Sequence, residues 1–223
     1  MSTAFEQNPS GPVVVVAEHH EGRLAPLTRE LAVCARRLAQ FWRREVRLAV
    51  LGEEVEALAQ EAARLTGENA VAVQVPGLKG FHGEAYANIL AELLPAWGAA
   101  TVLGGHTTSG LDWAPALAMD LNAACLTGVE AIEEHEDGLS FSRAGLYGKV
   151  QETLSPLTAP LVITVSPGTF KAPDGEADRP GQVEALQVAL PQCRSRVLVF
   201  AQAAHEDAGL SRAQVVVAAG RGI

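Results

Sequence analysis

The run VVVVAEH, Val13 to His19, decides how this chain folds. Four β-branched residues in succession, with no polar residue at every second place, leave neither face of a strand for water. Such a strand has to be covered above and below, and in a parallel sheet helices do the covering. The sequence around it supplies them. Leu27 to Phe41 carries Leu27, Leu31, Cys34, Ala35 and Leu38 at helical spacing, an apolar stripe along one side of a helix. VRLAVLG (Val46 to Gly52) reads as a second strand, ending in glycine before an acidic helix from Glu53 to Leu65. AVAVQV (Ala70 to Val75) is the third, followed by a helix near Gly83 to Trp97. ATVLGG (Ala100 to Gly105) is the fourth, and the next helix runs from about Leu111 to Asn122. Strand and helix alternate with short links throughout. The predicted fold is α/β: a doubly wound, mostly parallel sheet with right-handed crossovers and helices on both faces.

Beyond Cys125 the rhythm changes. LTGVEAIEEH, LSFSRAGLYG, KVQETL and LVITV follow one another as short β-like runs, with a connector as short as EDG, which suits a hairpin. This pattern predicts an antiparallel β-meander added to the edge of the parallel sheet. PGTFKAPDGEADRP, Pro167 to Pro180, is rich in Pro, Gly and charge and reads as an exposed mobile loop. RVLVFA (Arg196 to Ala201) and VVVAAG (Val215 to Gly220) read as closing strands. The chain thus divides into a disordered lead over residues 1–12, a single α/β domain over 13–212 and a last strand within 213–223.

Composition narrows the function. The chain of 223 residues is 48% hydrophobic and 19% charged, as expected of a globular protein with a substantial core. Its net charge of −9 disfavours a phosphate-backbone partner. The one basic cluster, Arg36, Arg37, Arg43, Arg44 and Arg47, spans a helix end, where cations complement the dipole. No nucleic acid is expected. Cys34, Cys125 and Cys193 make neither a disulfide framework nor a zinc spacing, so reduced and mostly buried thiols are expected. The polar N-terminus has no apolar signal region, and no apolar stretch reaches the length of a membrane span. The expected location is the cytoplasm.

Ligands of doubly wound sheets sit at the carboxyl ends of the strands, where the strand order reverses. The loops after the first and fourth strands are therefore the places to search. GGHTTSG, Gly104 to Gly110, has two readings. Gly104, Gly105, Thr107 and Ser109 form a phosphate-binding helix start, or the hydroxyls cap the helix and the glycines make its turn. The stretch matches neither a Walker loop nor GxGxxG. Glu18, His19, His20 and Glu21 resemble metal ligands, but adjacent strand residues point to opposite faces, so His19 and His20 do not converge on one ion. His82, His106, His135 and His205 have no ligand-like spacing with them. Cys34 lies on an apolar helix face, as an inert core thiol does. Glu133, Glu134, Glu136 and Asp137 read as a solvated hairpin tip. No catalytic or metal centre follows from these patterns.

Four segments in order resemble the electron-transfer flavoprotein alpha subunit: VVVVAEHHEGRLAPLTRELAVCARRL, VLGGHTTSGLDWAPALAMDL, SRAGLYGKV with LVITVSPGTF, and VVVAAGRGI. The resemblance implies an N-terminal α/β domain on an adenine-nucleotide-hydrolase-like sheet of Rossmann-type order. A separate FAD-binding domain follows it in that family. It also implies a beta subunit as partner, with AMP held on that subunit, and electron transfer from dehydrogenases through FAD to an acceptor. The family's Gly-Gly-Arg-Gly stands here as Ala219-Gly220-Arg221-Gly222, which makes Arg221 the one FAD contact carried over. Charges usual in the family are replaced by Leu111, Ala116, Gly128 and Ser166. Residues 213–223 then hold only the beginning of an FAD domain, the rest being a separate chain, lost or removed. The resulting expectation is a non-catalytic scaffold that does not hold FAD alone, with a homodimer if the chain is repurposed. The alternative is a free-standing adenine-nucleotide module resembling universal stress proteins.

Overall fold

The computed structural model describes residues 11–136, 138–199 and 215–220. Its first strand, β1 (Val13–Val16), is wholly buried. Val13 and Val15 enter one core and Val14 and Val16 the other, as a strand with two covered faces requires. A short hairpin of β2 (His19–His20) and β3 (Arg23–Leu24) leads to α1 (Leu27–Trp42). Then come β4 (Val46–Gly52), α2 (Glu56–Thr66), β5 (Asn69–Gln74), α3 (Gly83–Ala96), β6 (Thr101–Gly105) and α4 (Thr108–Asp120). The alternation read from the sequence is present, with α2 beginning about a turn later and α4 about a turn earlier than expected.

The remaining strands are β7 (Ala124–His135), β8 (Gly138–Gly145), β9 (Val150–Leu154), β10 (Leu161–Val165) and β11 (Val183–Gln187). Among the described residues, one nine-stranded sheet has the order β11-β5-β4-β1-β6-β10-β7-β8-β9. Every neighbouring pair from β11 to β7 is parallel, and β7, β8 and β9 are antiparallel. Helices α1 and α2 cover one face, and α3 and α4 the other.

Three expectations change. LVITV is not part of the meander: as β10 it lies inside the sheet, parallel to both β6 and β7. Its five residues are all buried, the same unbroken apolar signature that marks β1. VEALQ, read as no element, forms the edge strand β11 beside β5. The described parts of RVLVFA and VVVAAG enter no strand, and Leu198, Val215 and Val217 stand 80%, 81% and 91% exposed. A valine run becomes a strand only where a ladder accepts it.

The segment after β10 is exposed, as expected, but it is tied down. Phe170 enters the core under α1, and Gly168 donates its N–H to Glu30 at 2.7 Å. Arg29 donates to the carbonyls of Pro173 and Gly175, and Arg64 pairs with Glu176. Among the described residues no helix is long and apolar enough to cross a membrane.

Candidate functional site

The chain leaves β1 toward β4 on one side, and later returns to place β6 on the other. The strand order therefore reverses between β1 and β6, whose carboxyl ends lie side by side. Glu18 follows β1 there, and His106 and Thr107 follow Gly105 at the end of β6. Thr107 is the N-cap of α4: its hydroxyl accepts the Gly110 N–H at 3.1 Å and donates to Glu18 Oε1 at 2.7 Å. The Gly105 N–H also favours the Glu18 carboxylate, yet burial outweighs both donors and raises its pKa above the ordinary value.

The glycines of this turn answer to close packing. A Cβ on Gly104 would enter the Trp113 indole, and one on Gly110 would strike the Gly105 carbonyl. One on Gly105 would meet Leu27 and the Glu18 carboxylate. Thus Gly105, Thr107 and Ser109 meet at the switch point with Glu18 among them, and an arriving phosphate would face a carboxylate. Glu18 is the member of this group to which the sequence pattern gives no role, since it is weighed there only as a metal ligand and set aside.

Nearby polar groups are engaged in structure. His106 Nδ1 lies 2.9 Å from Thr164 Oγ1, which accepts the Gly128 N–H at 3.1 Å. Gly128 has a φ of +70°, a conformation that favours glycine. Leu111 and Ala116 are exposed on α4, and the Ser166 carbonyl accepts the Thr169 hydroxyl at 2.6 Å. His19 Nε2 lies 2.8 Å from the Leu51 carbonyl, while His20 is exposed, so the two do diverge. No group of three metal-capable side chains exists among the described residues. The arginine cluster is dispersed: Arg36 pairs with Glu68 at 2.9 Å, Arg37 with Glu134 at 3.9 Å and Arg47 with Glu45 at 3.2 Å. Cys34 is buried and its thiol pushed up by that burial, whereas Cys125 is exposed, contrary to the expectation of buried thiols. Arg221, Gly222 and His205 lie outside the described residues.

A further constellation had no sequence signal, because its halves are over a hundred residues apart. Glu84, in the first turn of α3, accepts the N–H groups of Arg194 and Ser195 at 2.9 and 3.0 Å and the Ser195 hydroxyl at 2.7 Å. These donors hold its pKa down to about 2. The clamp pins the segment that leaves β11 across the start of α3.

The model of the electron transfer flavoprotein domain matches residues 13–191, the whole of the sheet just described. The chain belongs to the electron transfer flavoprotein domain family. The electron transfer flavoprotein subunit alpha of Bacillus subtilis (strain 168) is 25% identical over 211 residues, covering 95% of this chain and 64% of the relative. That of Thermoanaerobacterium thermosaccharolyticum is 27% identical, covering 94% and 64%. Subunit LctC of the lactate dehydrogenase (NAD(+),ferredoxin) of Acetobacterium woodii is 27% identical, covering 95% and 51%. The chain therefore spans less than two thirds of the length of these relatives. Within the electron transfer flavoprotein family it corresponds to the N-terminal domain of the alpha type, as the four ordered segments imply.

Proposed function

We propose that this chain is the scaffold of an electron-transfer flavoprotein of alpha type. In this reading it docks a beta-type subunit and supports an FAD domain, through which electrons pass from dehydrogenases to an acceptor. The carrying observation is the family match across the entire β1-to-β11 sheet. The scaffold catalyses nothing itself, and its free thiols suit the reducing cytoplasm.

Two places at the strand ends are poorly charged for FAD or AMP. A cavity of about 740 Å3 at the ends of β1 and β4 is rimmed by Glu21, Glu53 and Glu54 against Lys79. That charge opposes a diphosphate. At the switch point Glu18 opposes the single phosphate of AMP. FAD is accordingly assigned to the FAD domain, with Arg221 as this chain's contact, and AMP to the beta-type subunit.

Co-expression with a beta-type subunit and size-exclusion chromatography with light scattering test the reading. A 1:1 complex is expected, with the isolated chain colourless. Titration of the isolated chain with AMP, ATP and FAD tests the alternative, in which Gly104, Gly105, Thr107 and Ser109 hold a nucleotide. Micromolar binding of AMP or ATP would replace the scaffold by a nucleotide module, and an isolated chain that stays a homodimer beside the beta-type subunit would mark a repurposed one.

A further inference from the structure

Beside the Glu18–Thr107 bridge lies a cavity of about 200 Å3 with an unusual wall. Three aromatic rings, Phe81, Tyr86 and Trp113, line it together with Glu18. Among the described residues no Lys or Arg joins them, so Glu18 brings the one full charge there. His19, His20 and Ser109 complete its polar lining, and the exposed His20 marks the side toward solvent.

The rings are fixed before any ligand arrives. Tyr86 donates its hydroxyl to the Leu51 carbonyl at 2.8 Å. The Phe81 and Tyr86 centroids are 5.0 Å apart with the planes inclined at 58°. Trp113 is 1% exposed and lies over Gly104, where a larger residue would displace it. His19 is held on the same Leu51 carbonyl as Tyr86. Glu18 is within electrostatic reach of the box, because its charge adds to burial in pushing the Tyr86 phenol up.

The three rings and the carboxylate favour positive charge. Aromatic faces carry negative potential and attract cations, more strongly where water is excluded. A carboxylate short of solvation gains a partner when a cation enters, whereas an anion or a neutral apolar group leaves it worse off. The space equals roughly seven water volumes, below the usual range for a drug-sized ligand and enough for a short alkyl chain ending in nitrogen.

We propose that the Glu18–Phe81–Tyr86–Trp113 box is a binding site for a small organic cation, an alkylammonium group. This site does not depend on the scaffold reading and stands or falls separately from it. The group comes either from a free amine or from a lysine side chain of a partner protein, and one set of titrations separates these.

Tetramethylammonium and n-butylammonium chloride are titrated into the full chain at constant ionic strength, by calorimetry and tryptophan fluorescence. Saturable binding at one site per chain is expected, with no response to sodium chloride. Glu18→Gln keeps an acceptor for Thr107 but removes the charge, and is expected to weaken binding about tenfold or more. Phe81→Leu removes the least buried of the three rings and weakens binding several-fold, which keeps the test decisive should the first variant unfold. N-acetyl-lysine methylamide forms the second arm: binding with the same dependence on Glu18 assigns the site to a lysine side chain, and binding of butylammonium alone assigns it to a free amine. Absence of saturation in the native chain, or folded variants that bind as well as it does, overturns the proposal.

Discussion

Glu84 and Glu18 are both carboxylates near helix starts, and their surroundings push them in opposite directions. Glu84 drops from the ordinary 4.5 to about 2, because backbone and hydroxyl donors from Arg194 and Ser195 favour its charged form. Its contribution to stability is therefore complete above about pH 4.5 and is lost as pH falls toward 2. A carbon-detected NMR titration should place the Glu84 carboxyl midpoint near 2, with the Ser195 amide shifting in step. A midpoint near 4.5 would mean that the segment is not clamped. Glu18 is raised by burial, so folding favours its proton and its charge works against stability above its unfolded pKa. Glu18→Gln should accordingly raise the thermal midpoint at pH 7, and the gain should vanish below about pH 4, where the native carboxyl is protonated too. Differential scanning calorimetry at both values checks this. Neither environment was legible from local sequence: Glu84's partners lie on a distant segment, and Glu18's exist only once β1 and β6 are neighbours.

At the scale of elements, two features combine rigid packing with local cost. Leu146 and Tyr147 form the turn between β8 and β9, both with positive φ, 48° and 57°. The Gly148 N–H closes that turn on the Gly145 carbonyl at 3.0 Å. Turns with two successive left-handed residues favour Asn-Gly, and bulky side chains are strained in that conformation. Exchanging the pair for Asn and Gly should stabilise the protein by about 1 kcal/mol, measured by urea unfolding. The second feature is α4 on β6. Gly104→Ala should destabilise by about 1–3 kcal/mol, since the added methyl displaces the Trp113 indole from a full core. The same urea measurement checks it, and an unchanged midpoint would show that the indole yields freely. Apart from the short β2–β3 hairpin, strands and helices through α4 were legible because their apolar spacing is regular. β10 was legible as a strand but not as to its place, since buried runs of five residues look alike wherever they sit in a sheet. β11 escaped notice because an edge strand with Glu184 and Gln187 shows little of the pattern that marks a buried one.

For the molecule as a whole, both cores are built, among the described residues, from positions no later than Phe170. Beyond it only Val183, Leu186, Val188 and Cys193 pack against them. Val215, Val216 and Val217 are exposed and join neither core, so replacing all three by serine should leave a single cooperative unfolding transition at the same temperature. A large fall in the midpoint would place those side chains in the core. The layered α/β plan needed nothing beyond the order of residues. Hydrophobic periodicity is a local property, and it dictates which stretches are strands covered on both faces and which are helices with one apolar side. The ordered motifs carried the family in the same way. The folded chain settled what the local pattern does not contain. Folding placed β10 inside the sheet, tied the exposed loop to Arg29 and Arg64, and set Glu18 against Thr107 at the reversal of strand order. It also gathered Phe81, Tyr86 and Trp113 around that carboxylate. These are contacts between residues distant in sequence, and their geometry exists only when the strand order is complete.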